Sequence, residues 1–277
     1  MGTIKAAVLI FASTLALAPL AAQENPVAVR AEAESGALQV FYHTYRVGES
    51  GTVFDFVKNG GQEILFPFQR FTAVIDVLDR HEIRLLYQPL ELATRITARE
   101  PFTIDTVDFV AGESVDVVYG FPFYRFTYLY DFIEGGAALS AGAALQFRNA
   151  SISFSGSDGS KRAVSQNLGL VPALAIAGRL PLGDRFFVAL DATGIFASSA
   201  FFNGADFEFE GSILDASIRA GARLGEKLEA YLNYRFVGGS AAGVSRYPSL
   251  YWTQSTEKST ANYLATTSLT VGATLEL

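Results

Sequence analysis

From Thr260 to Leu277 the chain alternates polar and apolar residues almost without a break. Tyr263, Ala265, Leu269, Val271, Ala273, Leu275 and Leu277 share one parity; Asn262, Thr266, Ser268, Thr270, Thr274 and Glu276 share the other. Successive strand side chains point to opposite faces, so the pattern predicts one long strand with an apolar side and a hydroxyl-rich side. Upstream the same alternation recurs. Leu214, Ala216, Ile218 and Ala220 oppose Asp215, Ser217 and Arg219, while Leu139, Ala141, Ala143 and Leu145 oppose Ser140, Gln146 and Arg148. A soluble sandwich would bury the apolar faces against a second sheet, whereas a transmembrane barrel turns them to lipid and the polar faces to a wet lumen.

Short turn signals at Asp79-Arg80, Glu134-Gly135-Gly136, Leu182 to Arg185 and Gly225-Glu226-Lys227 alternate with longer polar connections at 98–114, 155–163, 203–206 and 238–259. Tight turns at one end and long loops at the other are the layout of outer-membrane barrels, with the turns on the periplasmic side. Ten strands fit between these marks: 37–46, 66–78, 82–97, 115–133, 137–154, 164–180, 186–201, 207–224, 228–237 and 260–277. Thr52 to Lys58 is also strand-like and reads as an extension of the first hairpin, and counts of eight or twelve stay open. The fold expected is all-β, a closed antiparallel up-and-down transmembrane barrel.

The N-terminus supports export. Lys5 precedes an apolar run from Ala6 to Leu17, and small residues at Ala18, Ala21 and Ala22 suit a signal cleavage site, so residues 1–23 read as a signal peptide. Residues 24–36 are then expected as a short periplasmic segment, and 37–277 as the barrel. The chain has 277 residues, 50% of them hydrophobic, yet no stretch after the signal approaches the length of a spanning helix. With a net charge of −7 and basic residues scattered singly, a nucleic-acid interface is not expected. Cysteine is absent, which excludes a lipid-modified cysteine, disulfides and thiolate sites.

A charge facing lipid near the midplane costs about 2–4 kcal/mol, so the charged parity must face inward. The expected lumen network comprises Arg70, Asp76, Arg84, Glu91, Arg95, Arg125, Asp131, Arg148, Arg179, Asp191, Asp215, Arg219, Arg223, Glu229, Arg235 and Glu276. A ten-stranded lumen is narrow, and its charges persist only if paired, either as a structural plug or as the lining of a constricted pore. Two strands change phase, after Gln88-Pro89 and after Pro122, which predicts a bulge at each or the departure of the upper strand from the membrane. The aromatics from Phe121 to Phe132 read as an interface girdle, with a bound hydrophobic ligand as the alternative. In the loop near the C-terminus, Tyr247, Tyr251 and Trp252 are candidate recognition residues.

Chemistry has few candidates. His43, with Glu49, Ser50 and Asp55 nearby in sequence, is the one plausible base for an outer-leaflet hydrolase or acyltransferase; His81 follows a tight turn. No metal-ligand spacing, phosphate loop or nucleophile elbow is present, so neither metal nor cofactor is expected.

On its signal sequence, its asymmetry of turns and loops and its closing strand Tyr263 to Leu277, the chain resembles small bacterial outer-membrane β-barrels. The resemblance is to the OmpW and OmpX type in general and to the omptins in strand number. It implies insertion by the outer-membrane assembly machinery, with surrounding outer-membrane lipid, lipopolysaccharide-type glycolipid and small solutes as partners. The paired Asp and His-Asp motifs of the omptin proteases have no counterpart here, so their activity is not carried over. The expectation is a non-enzymatic barrel, structural or narrow-pored, with an adhesin or ligand-binding barrel acting through its loops as the alternative.

Overall fold

A computed structural model describes residues 27–48, 51–78, 80–133, 137–198, 208–245 and 258–277. Every element among them is a strand. Ten close a ring: β1 (Val27–Val47), β3 (Leu65–Val77), β4 (His81–Gln88), β9 (Phe123–Asp131), β10 (Ala138–Gly156), β11 (Arg162–Leu182), β12 (Phe186–Ser198), β13 (Glu208–Arg223), β14 (Leu228–Ser245) and β15 (Lys258–Glu276). Each pairs antiparallel with the next, and β15 returns to β1 over the register Arg30–Glu276 to Val47–Thr260. Five shorter strands sit at the end of the long connections, here called the upper end: β2 (Phe54–Asp55), β5 (Glu91–Thr97), β6 (Phe102–Ile104), β7 (Val107–Phe109) and β8 (Ser114–Gly120).

Closure leaves no lower strand edge unpaired, the condition for a sheet in hydrocarbon. The ladders are staggered. Following partners from Ala28 through Asp76, Glu82, Leu129, Gly142, Ala175, Thr193, Asp215, Val237 and Thr266 returns to β1 at Val40, twelve residues on. A stagger of that size tilts the strands by roughly 40°. Large outward side chains such as Leu174, Leu232 and Val271 stay exposed, forming the apolar band that the alternation predicts.

β1 starts at Val27, so most of the stretch expected as a periplasmic segment, 24–36, is barrel wall. Its outward residues Ala31, Ala33, Ser35 and Ala37 are small and one is polar, which hid the alternation. Likewise Gly238–Ser245, expected as loop, continues β14.

The bulges expected at Pro89 and Pro122 do not occur. The β4–β9 register continues unshifted into β5–β8, from Gln88–Phe123 to Glu91–Gly120. What inverts is polarity. Below the prolines Leu85 and Tyr87 face out and Arg84 and Gln88 face in; above them Glu91 and Arg95 face out and Leu90 and Leu92 are buried. Phe121 and Phe123 likewise turn inward while Tyr124, Phe126 and Tyr128 face out, so the aromatic run divides between core and girdle. Above this level the interior is an apolar core, as in a water-soluble protein. The one register shift in these ladders lies in β1 between Val40 and Tyr42. There Phe41 is the extra residue, and the parity change turns His43, Tyr45 and Val47 inward.

Candidate functional site

Six arginines and six carboxylates interlock in the lower lumen. β1 supplies Arg30, Glu32 and Glu34; β3 and β4 supply Arg70, Asp76, Glu82 and Arg84; β9 supplies Arg125; β12 to β14 supply Asp191, Asp215, Arg219 and Arg235. Asp215 is the hub, accepting from Arg235 at 2.6 Å, Arg125 at 2.8 Å and Arg70 at 2.9 Å. Those last two arginines stand on strands that are not neighbours of β13, so the bonds cross the lumen. Arg235 also reaches Glu34 at 3.3 Å, and Arg219 bridges Glu32 and Asp191, each at 3.2 Å. Arg84 joins Asp191 to Glu82, and Arg30 joins Glu82 to Asp76. Neutral groups complete the shell: Gln146 accepts from Arg125, Gln88 accepts from Arg70, and Asn233 and Thr270 donate to Glu34.

Buried charge is tolerated where it is paired and hydrogen-bonded, and each carboxylate here meets at least one guanidinium. Within the network lies a cavity of about 30 Å³, room for one or two waters.

Of the sixteen residues expected in the lumen network, Arg70, Asp76, Arg84, Arg125, Asp191, Asp215, Arg219 and Arg235 belong to it. Arg179 and Arg223 meet Glu229 in a separate group nearer the tight turns. Asp131 faces in near the lower rim and accepts from Ser140, and Glu276 ends β15 exposed. Arg148 points inward at the boundary with the apolar core, where Gly169 leaves room for its guanidinium, with no ion pair to a carboxylate among the described residues. Glu91 and Arg95 are corrections: both point out, and Arg95 pairs with Asp116 in solvent, because the polarity of the wall inverts above Pro89. Arg30, Glu32, Glu34 and Glu82 were missing from the expected set, although Arg30, Glu32 and Glu34 share one parity of β1.

Above the charges the lumen is stopped a second time. Phe54 and Phe56 from the 48–64 connection and Phe102, Ile104 and Phe109 from the β6–β7 hairpin pack with Leu38, Leu92 and Phe154. His43 holds this cap. Its ring stacks on Phe56 with centroids 3.9 Å apart, its Nδ1 donates to Gln62 Oε1 at 2.7 Å, and its carbonyl accepts from the Phe56 N–H at 2.9 Å. His43 is fully buried, away from any water or substrate at the surface. Glu49 and Ser50 lie outside the described residues, as do Tyr247, Tyr251, Trp252 and residues 1–26, while Asp55 caps the Val57 and Lys58 amides. His81 faces out near the lower rim, with its Nδ1 2.8 Å from the Tyr128 hydroxyl.

No protein-family model and no curated protein matches the sequence. Solved structures do. The outer-membrane protease OmpT from Escherichia coli is 10% identical with a TM-score of 0.50, covering 91% of this chain and 98% of its own. A FadL homologue from Pseudomonas aeruginosa, 10% identical with a TM-score of 0.38, covers 90% of each chain. OprG, an outer-membrane protein from the same organism, is 10% identical with a TM-score of 0.31, covering 90% of this chain and 96% of its own. Such identities speak to architecture alone. The chain has the fold of a small outer-membrane β-barrel.

Proposed function

We propose that this protein is a sealed barrel of the outer membrane, in which the charged lumen is a structural plug and the upper end, rather than a pore, is the working part. The observation that carries this reading is the network centred on Asp215, whose bonds cross the lumen from β13 to β3 and β9. A conducting passage would need charges standing apart around free water, whereas these are locked to one another around about 30 Å³ of space. The apolar cap adds a second barrier. A hydrolase centred on His43 finds no support in this geometry, since a general base must reach a substrate proton and this imidazole is enclosed by Phe56, Tyr119 and Gln62.

Conductance of the purified protein in planar lipid bilayers tests the reading. Silence under applied voltage is expected, with folding shown by heat-dependent gel mobility. Discrete openings of the folded wild-type protein would return the narrow pore to first place.

A further inference from the structure

One stretch of the upper wall is not zipped. The β3–β4 ladder ends at Phe71–Tyr87, although β3 continues up to Leu65 and the opposite strand continues past Pro89 as β5 to Thr97. Above that point β3 pairs with β1 and β5 pairs with β8, and no ladder joins β3 to β5. Pro67 and Pro89 stand in the two facing edges; neither has an N–H to donate, so the ladder cannot be completed there.

What lies on each side of this seam is apolar. Behind it are Leu38, Phe66, Phe68, Leu90 and Leu92, all buried. In front, Ile64 and Leu65 are more than half exposed, and Phe41 and Tyr42 on the adjoining strand carry the lipid-facing band of Phe71 and Leu85 upward. The cover is slight. The 56–62 segment crosses the upper part of the seam, with Thr94 Oγ1 donating to the Gly60 carbonyl at 2.5 Å. Gly61, at a φ of 71°, lies so close that a Cβ there would stand 3.3 Å from Ile96 Cγ2. An open strand edge facing hydrocarbon is costly unless something covers it, and this edge begins where the lipid-facing band gives way to polar residues such as Glu91 and Arg95.

We propose that the seam between β3 and β5 is a side entrance by which the acyl chain of a lipid in the surrounding leaflet enters the apolar upper core, displacing the 54–62 segment that now fills it. The proposal rests on the reading that the exposed band lies in lipid. Continuity with that band identifies the occupant, since a polar ligand would have to cross Ile64, Leu65 and Phe41. The charged plug below ends the path, so the seam leads to a binding site and not to a passage.

A palmitate analogue carrying a terminal diazirine, added to the full-length protein in phosphatidylcholine vesicles and photolysed, reads out the site by peptide mapping. Because the chain has no cysteine, a Gln69→Cys/Pro89→Cys variant introduces one disulfide that can bridge the seam. Label is expected on residues 54–70 and 88–97, saturable by unlabelled palmitate, falling to background in the oxidised variant and returning on reduction. Label spread evenly over outward residues such as Leu174, Leu232 and Val271 would overturn the proposal, as would seam label that persists undiminished in the oxidised variant. Should the double variant fail to fold, wild-type label at the seam that unlabelled palmitate cannot compete away would overturn it equally. Conductance reports on the plug alone, so even labelling with silent bilayers removes the side entrance and leaves the sealed barrel standing.

Discussion

Asp215 shows how one side chain can organise a lumen. Its two oxygens accept from Arg70, Arg125 and Arg235, so Asp215→Ala would leave Arg70 and Arg125 without a carboxylate and Arg235 with Glu34 alone. Removing one member of a buried ionic cluster costs about 3–5 kcal/mol, and the urea midpoint of barrel unfolding should fall accordingly. Glu91→Gln, which alters an exposed outward charge, should leave the midpoint where it is. These residues were legible because large apolar neighbours flank them on the opposite face; Glu32 and Glu34 were not, because Ala31, Ala33 and Ser35 give no apolar contrast. His43 could be named from sequence but its place could not, since only the bulge at Phe41 turns it inward.

Among the elements, the ten wall strands could be read from period-two alternation and turn chemistry, and at the tight turns their ends fell close to the marks that Gly and Asp provide, whereas the start of β1 and the upper end of β14 ran well past theirs. The upper half resisted for a physical reason. Alternation reports which face is apolar, and that face is the outer one in lipid but the inner one in water. At Pro89 and Pro122 the chain leaves one medium for the other while its geometry continues unchanged, so a change of phase in the sequence imitated a bulge that the ladders do not contain. The true bulge at Phe41 was silent, because Phe41 and Tyr42 are both large, aromatic and exposed. Deleting Phe41 tests the assignment. Without the extra residue Tyr42 follows Val40 directly, as Ala265 follows Thr266 on β15, so the ladder should run through and 42–47 should keep their partners and faces, with His43 and Tyr45 still in the cap. Heat-dependent gel mobility should survive, and the 51–64 connection should stay as resistant to protease as in the wild type. Cleavage of that connection in the deletion variant would mean that 42–47 have exchanged faces and that Phe41 is not the extra residue.

At the scale of the molecule, two barriers of opposite chemistry lie in series along one axis, a lattice of paired charges below and an aromatic core above. Each excludes what the other would admit: the core refuses ions on desolvation grounds, and the charges refuse apolar chains. Neither fails readily alone. Asp215→Ala loosens the lattice but leaves the cap of Phe54, Phe56 and Phe102 closed, and replacing the 99–112 hairpin by a short turn thins the cap but leaves Asp215 tied to its arginines. Both single variants should therefore stay silent in planar bilayers, and the combined variant should conduct. Because Arg70, Arg125 and Arg235 would then line the opening without their shared carboxylate, its current should favour anions, read as a shift of reversal potential in a salt gradient. Openings in the hairpin variant alone would show that the charged lattice is leaky and the cap is the sole seal. Openings in Asp215→Ala alone would place the whole barrier in the lattice and leave the upper core free for other work.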